Sequence, residues 1–589
     1  MIPLSDEQRA AVDHPGNVFV QACPGSGKTR VLTCRVIKGL EDLTSSKHRV
    51  VALTFTNRAA DEIQARLDQL AISQESLWAG TIHAFALEWI LRPYMAYVPR
   101  IRRGFAIADE YFTERTLNEL RQQFGKPFYF RINTTRDRTG HVANRDEDAT
   151  AIFDIYSERL VQRKLLDYDD ILYSAYRLLV EIPEIAQTLA SIIRLICVDE
   201  IQDTQDLQFG ILSSIFLALP DPRPTLFLVG DHDQCIYESL GATTKTLEEV
   251  SEEFGGVPMV ALPLTGNYRS TQRIIDFYQL LRPDNPKIQS LTRYATDHGL
   301  ITFHNQTMRR EQLPELIAEL IMQSVDQGVP SNQICVLAPH WVHIRALSRS
   351  LVGLLPNVDF DAPGSSPLHS QRENFWFRIA RLFLTTPRPS LYRTRLRWAG
   401  EVLREFGETY GIYLPEAVRT ARQLLRLVNS TTPRRHDGLE FLDEAFTALS
   451  DTLGLDIGIN EHLSQARNLF FEKARERIHE DGTPRDVETF KKLFKHPSGV
   501  VISTCHGVKG EEYETVIAFG LLRGYIPNWE VIIEGPPGVA EERSSKLLYV
   551  ICSRAKKSLH LIAETGRFTR THRPYETTDH LGALDFDYD

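Results

Sequence analysis

The residue types best suited to chemistry lie in a glycine-rich loop near the start of the chain. An apolar run at residues 18–21 leads into residues 22–29, Ala-Cys-Pro-Gly-Ser-Gly-Lys-Thr, and a helical pattern follows. In a loop of this kind at a helix N-terminus, backbone N–H groups face phosphates and glycines let the backbone approach closely. We expect Lys28 to neutralise β- and γ-phosphates and the Thr29 hydroxyl to ligate Mg²⁺.

A second pattern supplies the partner that such a loop needs. The apolar residues 195–198 are followed directly by Asp199 and Glu200. Asp199 can hold Mg²⁺, and Glu200 can orient and deprotonate an attacking water. Together with the loop, this acidic pair predicts an ATP or GTP hydrolase.

Length, charge and cysteine usage set bounds on the protein. A chain of 589 residues predicts several domains, and its net charge of −10 means that any nucleic acid would bind in a local groove. No apolar run approaches the ~20 residues of a membrane span, and no secretory signal is expected at the start. Seven cysteines without a Cys-x-x-Cys pair favour a reducing, cytoplasmic setting.

Strand and helix patterns alternate along two parts of the chain. Each short apolar run is typical of a buried parallel strand, and helical periodicity follows several of them. Two arginine-rich, mainly helical segments interrupt this alternation, and their arginines could form either a nucleic-acid surface or a solvated helix face. The predicted strands are 18–21, 50–55, 195–198, 225–229 and 257–262, then 301–303, 334–337, 499–502, 515–519 and 559–562.

Further motifs follow in a fixed order. Residues 4–12 contain Gln8, residues 54–60 read Thr-Phe-Thr-Asn-Arg-Ala-Ala, and residues 80–85 read Gly-Thr-Ile-His-Ala-Phe. Asp-Glu-Ile-Gln-Asp-Thr occupies 199–204, Gly-Asp-His-Asp-Gln 230–234, and Asn-Tyr-Arg-Ser-Thr 267–271. Thr-Cys-His-Gly-Val-Lys-Gly-Glu-Glu-Tyr occupies 504–513, and Tyr-Val-Ile-Cys-Ser-Arg-Ala occupies 549–555. Across nearly the whole chain, these motifs resemble the UvrD/PcrA/Rep family of superfamily 1A DNA helicases.

The resemblance implies an α/β fold with two RecA-like, doubly wound parallel-sheet domains, each with a mainly helical insertion. The expected boundaries are 1–90 with 167–280 for the first RecA-like domain (1A) and 91–166 for its insertion (1B). The second domain (2A) is expected at 281–369 with 496–589, and its short insertion (2B) at 370–495.

The resemblance also implies functional residues. Catalytic roles fall to Lys28, Asp199, Glu200, Gln234, Arg269 and Arg554. ATP contacts fall to Gln8, Gly25, Ser26, Gly27, Lys28, Thr29, Arg30, Tyr268 and Glu512, and Mg²⁺ ligation to Thr29 and Asp199. DNA contacts fall to Phe55, Asn57, Thr81, His83, Tyr237 and His506. The implied activity is an ATP-driven 3′–5′ helicase on single-stranded DNA or single/double-strand junctions.

One motif departs from the family pattern. Ser239 and Leu240 stand where the family usually has a base-stacking residue and an arginine. Together with the short second insertion, this change leaves a second hypothesis open, a sensor of DNA ends or single strands that switches a partner nuclease and unwinds little. The biological setting is left open between DNA repair and antiphage defence, and the short form of the chain suggests a specialised system such as the helicase-like subunit of a Gabija-type complex.

Overall fold

The structure of the protein is a computed structural model. It describes residues 3–108, 110–144, 146–236, 245–362, 368, 374–408, 410–458, 460–481, 483–495, 498–569 and 571–589.

The first α/β part of the chain is built on a six-stranded parallel sheet. Its order is β3-β2-β4-β5-β1-β6. Alternate residues of a strand face opposite sides, and here Leu226 and Leu228 pack into one apolar cluster while Phe227 and Val229 pack into another. Because both faces are covered, these strands read as continuous apolar runs. The strands are β1 Val18–Ala22, β2 Arg49–Thr54, β3 Leu77–Thr81, β4 Ile193–Val198, β5 Thr225–Gly230 and β6 Val260–Leu264.

A second six-stranded parallel sheet forms the other α/β part, with the order β7-β12-β11-β8-β10-β9. It too is covered on both faces by apolar clusters. The fold is therefore α/β with two RecA-like parallel-sheet domains, as predicted. The strands are β7 Leu300–Arg309, β8 Ile334–Ala338, β9 Phe360–Asp361, β10 Val500–Thr504, β11 Tyr513–Phe519 and β12 Ala555–Thr565.

Helices cover the sheets and form most of the two intervening segments. Around the first sheet they are Asp6–Asp13, Lys28–Glu41, Asn57–Gln69, Ile82–Phe85, Arg92–Tyr94, Tyr168–Glu181, Pro183–Ile192, Asp206–Leu217 and Leu247–Glu253, with a π-helix at Ala86–Leu91. Around the second sheet they are Gln272–Gln279, whose buried side chains join the apolar cluster of that sheet, Leu313–Asp326, Trp341–Leu354, Trp529–Glu534, Val539–Cys552 and Asp579–Gly582. The intervening segments contain Glu110–Gln123 and Glu147–Gln162, then Phe375–Leu384, Tyr392–Glu408, Ala421–Ser430, Gly438–Leu453, Glu461–Asp481 and Val487–Lys491. The residue numbers given above as domain boundaries stay a prediction.

Two strands of the sheets lie outside the predicted set. β3 is an edge strand whose first three residues are only partly buried, so it lacks the continuous apolar run of its neighbours. β9 has only two residues, too few for a periodic signal. In addition, the first intervening segment is not free of strands, because Ala106–Ile107 pairs in parallel with Leu165–Leu166.

Several arginines of the intervening segments tie parts of the chain together. Arg100 and Arg136 both pair with the carboxylate of Asp170, at 2.9 and 3.0 Å. Arg138 pairs with Asp206 at 2.8 Å and with Glu253 at 2.9 Å. These three arginine side chains hold the first intervening segment on the α/β core. The sequence predicted either a nucleic-acid surface or a solvated helix face for such arginines, and did not anticipate this structural role.

A buried ion-pair network joins the second intervening segment to the first α/β part. Glu405 lies 3.0 Å from Arg92 and 3.3 Å from Arg378, and Arg378 also lies 3.2 Å from Glu88. The Glu405 side chain is only 2% exposed. A carboxylate this deep depends on its two guanidinium partners.

We expect Glu405→Gln to lower the free energy of unfolding by about 1–3 kcal/mol, because Arg92 and Arg378 lose a charged acceptor. Urea unfolding followed by circular dichroism measures this. Glu416→Gln is the matched control, since Glu416 pairs with Arg419 in the same segment but its side chain is 86% exposed. Such a surface pair contributes about 0–1 kcal/mol, so equal losses in the two variants would contradict the prediction.

Within the described residues, no helix combines the length and apolarity that crossing a membrane requires.

Candidate functional site

The glycine-rich loop connects the end of β1 to the helix Lys28–Glu41. Gly25 and Gly27 have positive φ values of 70° and 81°, which bend the backbone into a phosphate-sized concavity. A Cβ on Gly25 would lie 2.7 Å from the Cβ of Arg269, so the close approach requires glycine. Ser26 is 1% exposed, and its Oγ is buried without a hydrogen-bond partner among the described residues.

Two buried amide side chains hold this loop in place. Gln8 donates from Nε2 to the Ser26 carbonyl at 2.9 Å, while its Oε1 accepts the Ser5 backbone N–H at 3.1 Å. Asn267 donates from Nδ2 to the Pro24 carbonyl at 2.7 Å. Gln8 therefore lies against the phosphate loop, and its adenine contact stays a prediction.

Lys28, Asp199 and Glu200 come together at the carboxyl ends of β1 and β4. The Lys28 Nζ lies 3.1 Å from Glu200 Oε2, and both side chains are largely buried. Burial would lower the pKa of Lys28, but Glu200, Asp231 and Asp199 outweigh it and raise the pKa. Burial, followed by the charge of Glu200, raises the pKa of Asp199, which marks a place where negative charge lacks full compensation.

Glu200 behaves in the opposite way to its neighbour. Burial would raise its pKa, but the charges of Lys28 and Lys509 and a hydrogen bond from Gln202 lower it. The carboxylate is thus held ionised, as a base requires. Its backbone has a φ of 50°, in the left-handed region, which turns the chain sharply at the end of β4.

Gln234, Arg269 and Arg554 also meet at this place, although they are far apart in the chain. Arg554 donates from Nη2 to Gln234 Oε1 at 2.9 Å and is 1% exposed. Arg269 donates to the Ser553 carbonyl at 2.8 Å and to Glu512 Oε2 at 2.8 Å. Burial, then the charge of Arg269, lowers the pKa of Arg554 to about 9. Guanidinium groups placed near a phosphate loop are able to pair with phosphate oxygens.

The other predicted nucleotide contacts surround the loop. Thr29 follows Lys28 in the first turn of the helix, and Arg30 donates to the Pro3 carbonyl at 3.4 Å. Tyr268 donates its backbone N–H to the Gly25 carbonyl at 2.8 Å and leaves its ring 37% exposed. The structure thus brings all the predicted catalytic and nucleotide residues to one region, and their roles stay predictions.

Four predicted DNA contacts lie at or just after the ends of β2 and β3, which are adjacent strands. Phe55 is 37% exposed directly after β2, and Asn57 begins the next helix. Thr81 ends β3 and accepts the Ala84 N–H at 3.2 Å. His83 lies edge-on to Tyr168 at 5.4 Å, and burial lowers its pKa to about 4. A neutral His83 could contact DNA through a hydrogen bond but not through charge.

The remaining two predicted DNA contacts come from the two halves of the chain. His506 follows β10, and its ring has a hydrogen bond with the backbone of Ile236. Burial, followed by the charges of His340 and Lys509, lowers its pKa. Tyr237, like Ser239 and Leu240, lies outside the described residues.

Sequence reasoning assigned no role to Gln202, Asp203, Asp231, Asn267 and Lys509, yet all five contact the site. Lys509 lies 2.5 Å from Asp203 and also contacts the Gln234 carbonyl, so it joins the two α/β parts. The signal was present, because each residue stands inside a motif string, but spacing alone does not reveal which side chains touch.

These parts define a phosphate-loop α/β protein with one site between its two halves. Two models of one family match it: the UvrD/REP helicase N-terminal domain over residues 4–255 and the UvrD-like helicase C-terminal domain over residues 486–566. The chain belongs to this UvrD/Rep helicase family, as its motifs predict.

Two named relatives align with almost the whole chain. The ATP-dependent DNA helicase PcrA of Staphylococcus aureus is 23% identical over 96% of this chain and 83% of its own length. The ATP-dependent DNA helicase UvrD1 of Mycobacterium tuberculosis is 25% identical over 95% of this chain and 82% of its own length.

Proposed function

We propose that this protein is an ATP-dependent DNA helicase that hydrolyses ATP to move 3′ to 5′ along single-stranded DNA. The observation that carries the proposal is the position of Arg269 and Arg554 between the two halves, where Arg554 donates to Gln234 and Arg269 donates to Glu512 and to the Ser553 carbonyl. These side chains join opposite halves of the site, as a hydrolysis-driven opening and closing of the two halves requires. Family membership and the names of both relatives support ATP-dependent DNA helicase activity, and the polarity rests on the resemblance of the motifs.

At the nucleotide, each residue type has a defined task. Lys28 and the backbone of the loop bind the β- and γ-phosphates, and Glu200 takes the proton from the attacking water. Gln234 senses the γ-phosphate, and Arg269 with Arg554 stabilises the negative charge that develops there. Tyr268 stacks on adenine, Gln8 reads its edge, and Glu512 contacts the ribose.

The chemistry of the site fits Mg²⁺. Asp199 has a raised pKa because it is buried beside another carboxylate, and a divalent cation would relieve that repulsion. Among the described residues no group of three or more His, Cys, Asp or Glu side chains could hold a metal by itself. Magnesium commonly needs only one or two protein ligands beside phosphate oxygens, here Asp199 and the Thr29 hydroxyl. When bound, it would neutralise phosphate charge.

On the DNA side, Phe55 and Tyr237 supply faces on which bases stack, each worth about 1–3 kcal/mol. Asn57, Thr81, His83 and His506 supply polar contacts. Four of these six residues lie at the ends of β2 and β3, and β2 is the neighbour of β4, which Asp199 and Glu200 follow. Movement at the nucleotide therefore has a short path to the DNA contacts, through β4 and its neighbour β2.

Strand-separation assays test the proposal directly. We expect ATPase activity to rise on addition of single-stranded DNA, and a duplex with a 3′ tail to be unwound in preference to one with a 5′ tail. A duplex without tails is the control. ATP hydrolysis that does not respond to DNA would overturn the assignment, and preference for the 5′ tail would overturn the polarity.

A second candidate is a DNA-end or single-strand sensor that uses ATP to regulate a partner nuclease. Ser239, which cannot stack on a base, and Leu240, which lacks the positive charge of an arginine, favour this candidate together with the short second insertion. Strong DNA-stimulated ATPase activity with little unwinding would distinguish it from the helicase. We also propose a cytoplasmic setting and a role in DNA repair or antiphage defence. A nuclease partner is part of this second candidate.

Restoring the residue types that are usual in the family at positions 239 and 240 should strengthen binding to single-stranded DNA. We expect Ser239→Trp, Leu240→Arg to bind single strands more tightly by about 1–3 kcal/mol, since one stacking face is regained. A new phosphate contact should also steepen the dependence of log K on log salt by about 0.7. Fluorescence anisotropy at several salt concentrations measures both.

The control for this double change is Ser239→Ala, Leu240→Met, which adds neither a ring nor a charge. If the two double variants bind alike, the stacking and phosphate contacts are made elsewhere.

A further inference from the structure

A continuous line of hydrogen bonds connects Glu200 to Arg554. Gln202 donates from Nε2 to Glu200 Oε2 at 2.6 Å, and its Oε1 accepts the Asp231 backbone N–H at 3.1 Å. Asp231 Oδ2 accepts from Gln234 Nε2 at 2.5 Å, and Gln234 Oε1 accepts from Arg554 at 2.9 Å. We call these five residues the relay. Gln202, Asp231, Gln234 and Arg554 are each at most 4% exposed.

Donor and acceptor chemistry permits only one orientation of the Gln202 amide. Its two neighbours in the relay are a carboxylate, which accepts, and a backbone N–H, which donates. The NH₂ must therefore face Glu200 and the oxygen must face Asp231. The site is also tightly packed, since a Cβ on Gly230 would lie 2.5 Å from the Gln202 Oε1.

Asp231 fixes the second amide in the same manner. Its Oδ1 accepts the Asp233 N–H at 3.1 Å while its Oδ2 accepts from Gln234. Only a carboxylate can accept at both positions, because an amide would present an NH₂ to one of the two donors. With its NH₂ held by Asp231, Gln234 must turn its oxygen toward the Arg554 guanidinium. One N–H of the same NH₂ remains for a phosphate oxygen.

We propose that Gln202 and Asp231 are positioning residues, which hold Glu200 and Gln234 in the orientations that hydrolysis needs and connect them to Arg554. This inference rests on the proposed ATPase function. Asp231 fixes the orientation of the Gln234 amide by accepting its N–H. Gln202 fixes the Glu200 carboxylate by donating to its Oε2. Every described hydrogen bond of the Glu200 carboxylate falls on Oε2.

A double-mutant cycle tests the role of Asp231. We expect Asp231→Asn to lower kcat about 10- to 100-fold, with KM for ATP changed by less than about threefold, because bound ATP keeps its loop contacts. In a Gln234→Ala background, Asp231→Asn should cost at most about twofold more, since the residue through which it acts is gone. Single-turnover assays extend the measurement to slow variants, and thermal melts identify any variant that does not fold.

Two controls accompany the cycle. Asp233→Asn makes the same change two residues away, where the carboxylate pairs with Arg282 at 2.7 Å outside the relay. Gln208→Met is the control for Gln202→Met, since Gln208 is also a buried glutamine that accepts a backbone N–H, from Gln205 at 3.1 Å. We expect both controls to keep kcat within about threefold of the wild type, and Gln202→Met to lower it about 10- to 100-fold.

The outcomes separate this inference from the proposed function. Equal losses from Asp231→Asn with and without Gln234, or an unchanged kcat in Asp231→Asn, would overturn the inference while leaving the ATPase assignment intact. If Glu200→Gln and Gln234→Ala also hydrolyse ATP normally, the proposed function itself fails. A large loss of kcat that Asp231→Asn causes only when Gln234 is present supports both the inference and the proposed function.

Discussion

Replacing Glu200 by Gln should reduce ATP turnover by about 10²–10⁴-fold while ATP binding is retained. The amide keeps the size of the side chain but cannot accept the proton of the attacking water. Lys28→Ala should also lose turnover, but for a different reason, because it removes the cation that binds phosphate and raises the Kd for ATP. Steady-state ATPase assays together with binding of a fluorescent ATP analogue separate the two variants.

Glu253→Gln controls for the loss of a buried ion pair. Its carboxylate side chain is 10% exposed and pairs with Arg138 and Lys245, much as Glu200 pairs with Lys28. We expect this variant to hydrolyse ATP at nearly the normal rate. Rapid hydrolysis by Glu200→Gln would show that another group serves as the base.

Arg554→Ala should lower kcat by about 10³–10⁵-fold with a much smaller change in ATP affinity. The guanidinium contributes most when charge develops on the γ-phosphate, so its loss raises the barrier more than it weakens ground-state binding. Arg554→Lys should not restore the rate, because an ammonium cannot reproduce a planar group that also donates to the Gln234 oxygen and the Val550 carbonyl.

Arg523→Ala is the matched control for an arginine of the second α/β part. Its side chain is 45% exposed and lies 3.5 Å from Asp579, so its loss should leave kcat unchanged. If Arg554→Ala weakens ATP binding and leaves kcat unaltered, Arg554 contributes to binding and not to the transition state.

Much of the fold could be predicted because its strands are buried on both faces. Continuous apolar runs such as β5 and β8 give a signal that needs no knowledge of the partner strand. The edge strand β3 was missed for the converse reason, because its first three residues are only partly buried and do not form a continuous apolar run. Gly80 leaves room for the Trp78 ring, which lies 2.7 Å from the position that a Cβ would take. The tie between Arg138 and Glu253 joins positions 115 apart, which no local pattern reports.

The candidate site divides in the same way. The order of the motifs identifies Lys28, Glu200 and Arg554, because the role of each can be predicted from its residue type and its position in the motif. The same strings contain Gln202 and Asp231, but their contacts depend on the left-handed turn at Glu200 and on the pairing of β4 with β5. Such contacts follow from three-dimensional packing, and only the structure gives them.

The Glu405 network has a consequence for how this protein can diverge. The Glu405 carboxylate pairs with Arg92 and Arg378, and Arg378 also pairs with Glu88. The two acidic and two basic side chains at these four positions therefore neutralise one another. Replacement of any one of them leaves a buried charge that only another replacement can neutralise. Among relatives that keep this interface, we expect positions 88, 92, 378 and 405 to change together, and an alignment would show this as covariation.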